Sequence, residues 1–120
     1  MHKQIAVEEL EKIMGYGDVI EGTLEGVVVM INSNFLGKVV YQELPSQPID
    51  GVEKVKLYNS KVEFTLVSEI EKVSVASSKY PRIKLYLKSG GDTYFEVAND
   101  DFVQGALQTL MLQLMRATQK

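Results

Sequence analysis

Cysteine is absent from this 120-residue chain, and histidine occurs once, as His2. Without cysteine there is no disulfide framework, no thiolate nucleophile and no thiolate-bound zinc. A lone histidine beside the first methionine is read as a terminal residue and not as a base or ligand. Histidine- and cysteine-based triads therefore have no material. Long apolar runs are missing too: none approaches the 18 residues that suggest a membrane span. The opening "MHKQIAVEELEKIM" is amphipathic and acidic and lacks the apolar core of a secretory signal. Together these features predict a soluble, cytoplasmic protein. Arginine is scarce, with only Arg82 and Arg116, a thin electrostatic footprint for nucleic acid.

The formal net charge of −3 is unevenly spread. Residues 1–52 set three lysines against eight acids, and residues 91–120 set two bases against four. Residues 53–90 carry eight bases against four acids, the only locally basic stretch. Lysines along the outer face of a sheet discourage edge pairing and account for this stretch.

Acidic residues offer no catalytic or metal constellation. Asp100 and Asp101 sit where a helix N-terminus favours negative charge. Glu69 and Glu71, two apart near a strand, read as solvated edge charges. No cluster supplies the several convergent oxygens of a hard-cation site. "SGGD" and "GYGD" are turns, too short in glycine spacing for a phosphate loop. No catalytic residue, metal or cofactor is predicted, and the chain is read as a non-enzyme.

What remains is pattern. "IAVEELEKIM" places Ala6, Leu10, Ile13 and Met14 on one helical stripe, and Gly15 and Gly17 end it. In "DVIEGTLEGVVVMINS", Ile20, Leu24, Val28 and Met30 share one face of an extended run. From Val27 to Ile31 both faces are apolar, which predicts burial on both sides. Gly22 and Gly26 within the run predict strong bending or a close backbone approach. "NSN" is turn chemistry and "FLGKVVYQEL" a further strand. "PSQPIDG" is a spacer loop. Val55 and Leu57 are predicted to point inward from "EKVKLYN", "SK" to turn, and Val62, Phe64 and Leu66 to point inward from "VEFTLV". The phase shift in "SEIEKVSVA" predicts a turn at Ser68–Glu69 and a bulge before Val73. "RIKLYLKSGGDTYFEV" is the clearest hairpin, with Ile83, Leu85, Leu87, Phe95 and Val97 inward. Lys84, Tyr86, Lys88, Tyr94 and Glu96 lie on its other face.

"NDDFVQGALQTLMLQLMRATQK" closes the chain as a helix with Asn99 as N-cap. Phe102, Val103, Ala106, Leu107, Leu110, Met111 and Leu114 form its apolar stripe. Gly105 is read as permitting close approach to the sheet. Leu112 and Met115 extend the stripe beyond what one sheet covers.

The predicted fold is α+β, mainly β. A short N-terminal helix (1–17) precedes a bent antiparallel sheet or partly open barrel of about seven strands (18–98). A long C-terminal helix (99–118) caps it, and the whole forms a single domain over 1–120.

Two passages resemble the pleckstrin-homology-like superfold, including its bacterial and GRAM-type members. "VKLYNSKVEFTLVSEIEKVSV" looks like that family's two strands followed by a serine-glutamate-isoleucine entry into a third. "RIKLYLKSGGDTYFEV" looks like its last hairpin, leading into the closing helix. The resemblance spans roughly residues 18–118 and implies a fold that hosts peptide and protein recognition. Lipid-binding members carry basic residues around the first strand–strand loop. Here that loop, "INSNFLGK", has only Lys38, a departure from phosphoinositide binding. "VIEGTLEGVVVMINSNFL" and "VKLYNSKVEF" are similar to Sm-like RNA-binding barrels, but the extra hairpin and long helix do not belong to that family.

Function is therefore expected to reside in binding. The first expectation is a module engaging a protein partner, or itself as a homo-oligomer, through Met111, Leu112 and Met115 and the adjacent sheet edge. The second is an oligomer binding a planar or phosphorylated small molecule with Arg82, Lys84, Tyr86, Lys88 and Tyr94. Single-stranded RNA binding by an Sm-like ring is the third, and nucleic acid is the disfavoured partner.

Overall fold

The computed structural model describes residues 2–42 and 58–118. The spacer loop and the inward placement of Val55 and Leu57 lie outside the described residues. Helix α1 (His2–Met14) is followed by strands β1 (Asp18–Val19), β2 (Val27–Ile31), β3 (Phe35–Gln42) and β4 (Tyr58–Leu66). A 3-10 turn (Val67–Glu69) leads into β5 (Ile70–Ala76), β6 (Arg82–Leu87) and β7 (Asp92–Glu96). A second 3-10 turn (Asp100–Phe102) opens α2 (Val103–Thr118). Among the described residues the strands form two antiparallel sheets, β1-β2-β3-β4 and β5-β6-β7, and no closed barrel. The predicted α+β class and helix–meander–helix order hold.

Helix α1 forms because Ala6, Leu10 and Met14 recur every four residues and so share one face. That face lies on β2 and β3, closing a cluster with Val28, Met30, Val39 and Tyr41. Gly37 makes the approach possible: a Cβ there would fall 2.8 Å from both Leu10 and Met14 side-chain atoms. Ile13, placed on the buried stripe by spacing, is exposed instead. It lies about 100° from Met14 on the helix and misses the strands.

Asn32 joins the helix to the β2–β3 turn. Its Nδ2 donates to the carbonyls of Met14 (2.8 Å) and Tyr16 (3.1 Å). Its Oδ1 accepts from the amides of Asn34 and Phe35, both at 2.8 Å.

The run 18–31 is not one bent strand. Gly22 and Gly26 hold φ of +82° and +84° and break it into β1, a turn and β2. Both approaches are close, as expected. A Cβ on Gly22 would sit 2.1 Å from the Phe102 ring, and one on Gly26 would sit 2.7 Å from the Tyr41 carbonyl oxygen. The break also separates residues assigned to one face. Ile20 joins the core beneath α2, whereas Val28 and Met30 lie beneath α1. Burial of β2 on both sides follows, with Val29 and Ile31 on the α2 side.

That second core unites the sheets. Ile20, Val29 and Ile31 meet Ile83, Leu85, Phe95 and Val97, with Ala106 and Leu110 of α2 across them. Each fully buried aliphatic side chain contributes about 1.5–3 kcal/mol relative to an exposed one. The turn before β5 and the register shift between Ile70 and Lys72 occur where predicted. The hairpin pairs Ile83 with Phe95 and Lys84 with Tyr94, and Gly90 at φ +100° makes its turn.

Three further expectations fail. Ser60–Lys61 is not a turn, since β4 runs through it. Val62 and Leu66 are 44% and 50% exposed and only Phe64 is covered, because α1 spans β2 and β3 and stops short of β4. Gly105 faces open space, with no neighbouring atom within 4 Å of where a Cβ would stand.

Candidate binding surfaces on the hairpin and the closing helix

The outer face of the β5-β6-β7 sheet gathers four of the five predicted ligand residues. Strand alternation puts Arg82, Lys84, Tyr86 and Tyr94 on one side. Lys88 follows β6 and goes elsewhere. Each tyrosine lies within reach of two cations. Arg82 Cζ is 4.1 Å and Lys38 Nζ 4.8 Å from the Tyr94 ring centre. Lys84 and Lys72 ammonium nitrogens are 5.1 and 5.2 Å from that of Tyr86. Carboxylates interleave: Arg82 faces Glu96 and Lys84 faces Asp92, each at 3.7 Å. Tyr86 and Tyr94 are not directly opposed. Tyr86 pairs with Asp92 and Tyr94 with Lys84.

Lys38 enters this face from the other sheet, which the sequence did not indicate. Its Nζ donates to the Tyr94 carbonyl oxygen at 2.6 Å. That carbonyl is on the outer edge of β7, so the lysine caps a group that a strand would otherwise seek. Burial holds the Lys38 ammonium below the ordinary lysine range, partly offset by Glu63. Lys61, fully exposed, is raised by its hydrogen bond to Glu63. The face is thus a lattice of cations, rings and carboxylates that satisfy one another.

Helix α2 differs. Asn99 Oδ1 accepts from the Asp101 amide at 2.9 Å, as its N-cap assignment requires. The buried row is Ala106, Leu110 and Gln113, rotated from the predicted stripe toward Ala117, so Phe102 and Met111 are exposed. Gln113 was missed because it is polar. Its i+3 spacing from Leu110 was the available signal. Its Nε2 donates to Asp18 Oδ2 at 2.8 Å, tying α2 to β1.

On the flank beside this row, the half-buried Leu107 and Leu114 and the exposed Met111 remain open. Between the C-terminal half of α2 and β5 runs a groove of about 400 Å³. Val67, Ile70, Val73, Met111 and Leu114 make its apolar walls, with Lys72 and Lys88 among its polar lining. A shallower depression continues along Val103, Leu107 and Met111. Met115, one turn beyond Met111, is 60% exposed and lines neither depression. Leu112, 47% exposed, lies about 100° round from Met111 and faces away from the groove. The groove therefore unites Met111 with Lys88, one residue from each predicted set, and leaves out Leu112 and Met115.

The β5 edge beside the groove is free among the described residues. Leu87 bonds toward β7 through Gly91, so alternation directs Lys84 and its partner Ser74 toward each other. The backbone groups of Val73 and Val75 then point outward. Among the described residues no group of three or more His, Cys, Asp or Glu side chains could hold a metal. No helix of the described chain is long and apolar enough to cross a membrane. No protein-family model, curated protein or solved structure matches the chain.

Proposed function

We propose that this protein is a non-enzymatic recognition module whose α2–β5 groove takes an extended segment of a protein partner. The observation that carries the reading is the juxtaposition of a free strand edge with an apolar groove. Strand addition needs both: main-chain groups for affinity and a pocket for alternate side chains. Val73 and Val75 offer the first, and Met111, Leu114 and Val67 the second. Methionine suits a surface that must adapt to different side chains. Kinship with pleckstrin-homology-like proteins belongs to the same proposal. What supports it is an antiparallel meander in two sheets closed by a helix.

The test is selection from a random peptide library against the purified protein. Enriched peptides should carry apolar residues at alternate positions. Their binding should fall at least tenfold in Val75→Pro, which removes an outward amide without touching the β6 ladder, and in Met111→Lys. Absence of enrichment, or binding indifferent to both substitutions, would discard the proposal. A small molecule retained in native mass spectrometry and lost on Tyr86→Ala would instead favour a ligand on the hairpin face.

A further inference from the structure

The edges of the two sheets are treated unequally. On β7, the Glu96 carbonyl accepts from the Leu24 amide at 3.2 Å, and the Ala98 amide donates to the Gly22 carbonyl at 2.8 Å. Lys38 takes the Tyr94 carbonyl. Every outward group named there has a partner. Strand β4 has nine residues without proline or glycine, and among the described residues nothing pairs with its outer side. Its face toward α1 carries the exposed Val62 and Leu66. Long, apolar, unprotected edges are what natural proteins avoid unless something covers them.

We infer that a second copy of this chain covers it, through antiparallel β4–β4 pairing about a two-fold axis. The argument is one of register. The Val67 amide donates to the Asn34 carbonyl, so strand alternation directs the backbone of Lys61, Glu63 and Thr65 toward β3. The groups of Val62 and Phe64 point outward, and only these even positions can bond across the axis. Four registers near the strand centre satisfy that condition, and one of them, centred on Phe64, sets Glu63 opposite Thr65 and gains no unlike pair. Centring on Lys61 opposes lysine to lysine, and centring on Glu63 opposes glutamate to glutamate. Centring on Val62 sets each Lys61 opposite the second copy's Glu63 and Val62 opposite its own counterpart. Like charges directly opposed on adjacent strands are unfavourable and unlike charges favourable, so the charge pattern selects that register. Lys61 already reaches Glu63 within one strand at 2.9 Å, and pairing closes a ring of four alternating charges. On the opposite face, Val62, Phe64 and Leu66 from both copies form one apolar floor between the two α1 helices. The interface is isologous and closes after two copies, which leaves no free β4 edge for a fibre.

The surface is separate from the α2–β5 groove, and the experiment keeps them apart. Light scattering after size exclusion should give a mass twice 13.4 kDa at micromolar protein. Lys61→Glu and Glu63→Lys should each weaken the dimer about tenfold, since each creates two like-charge contacts. The double exchange Lys61→Glu with Glu63→Lys restores the alternation and should restore the dimer. Val62→Pro, which lacks the outward amide, should give monomer. Circular dichroism melting of the single and double exchanges confirms that each is folded. A monomeric wild type overturns the inference. So does a dimer that ignores both single exchanges, or one lost on Met115→Lys and kept in Val62→Pro.

Discussion

The hairpin's outer face and the flank of α2 are both partly exposed, yet they are built on opposite plans. On the hairpin, each ring has cations beside it, and Arg82 and Lys84 each have a carboxylate at 3.7 Å. On α2, the Met111 thioether and the Leu107 and Leu114 side chains of one flank meet only a groove. Exposure alone does not distinguish a recognition surface from a solvated one. Internal satisfaction does, because a partner gains most where groups are left without one.

The contrast can be broken first on the helix itself. Leu110→Ala, on the fully buried side, should cost about 2–5 kcal/mol in chemical denaturation. Met115→Ala, on the open flank, should stay within about 0.5 kcal/mol. Comparable losses at both positions would mean that the flank is closed in solution. On the hairpin, Tyr94→Ala removes two cation–ring contacts worth about 0.5–1 kcal/mol each at exposed sites. A midpoint shift equivalent to roughly 1–2 kcal/mol is therefore expected. No shift at all would show that the ring is spare and available to a ligand.

The smallest effect sharpens the role of Lys38. Burial first, and Lys61 less, hold its ammonium below the ordinary 10.5, against the pull of Glu63 and Glu96. Between the lowered folded value and 10.5 the unfolded chain binds more protons, so this group's contribution to stability rises with pH. It is complete above 10.5 and is lost as pH falls through the folded value. Melting temperatures of wild type relative to Lys38→Met should therefore drift upward as pH rises toward 10.5 and level off above it. A constant difference as pH rises to 10.5 would contradict the partial burial of the amine.

Much of the architecture was legible because it rests on period. Ala6, Leu10 and Met14 at four-residue spacing, and Ile83, Leu85, Phe95 and Val97 at two, name their own elements and faces. What period could not convey is where neighbours end. Val62 and Leu66 alternate as core residues do, but α1 does not extend over them. Ile13 fits the stripe and lies at its margin. Gly22 and Gly26 announced unusual backbone, and only the fold shows that they turn the chain under Phe102 and Tyr41. Of the candidate sites, the hairpin set was found by alternation, whereas Lys38, 56 residues from Tyr94 in sequence, was not. The groove was half legible: Met111 signalled it, but β5's share depends on which edge the chain leaves unpaired.

The short span from Gly22 to Leu24 has a kinetic implication. It is held on one side by Val27, three residues beyond Leu24, and on the other by Glu96 and Ala98 from the far end of the domain. Contacts this distant in sequence slow folding, because a long loop must close before they form. A nascent chain that has not yet delivered residue 98 from the ribosome leaves that early segment without its final mooring, so the turn between β1 and β2 waits on the last strand.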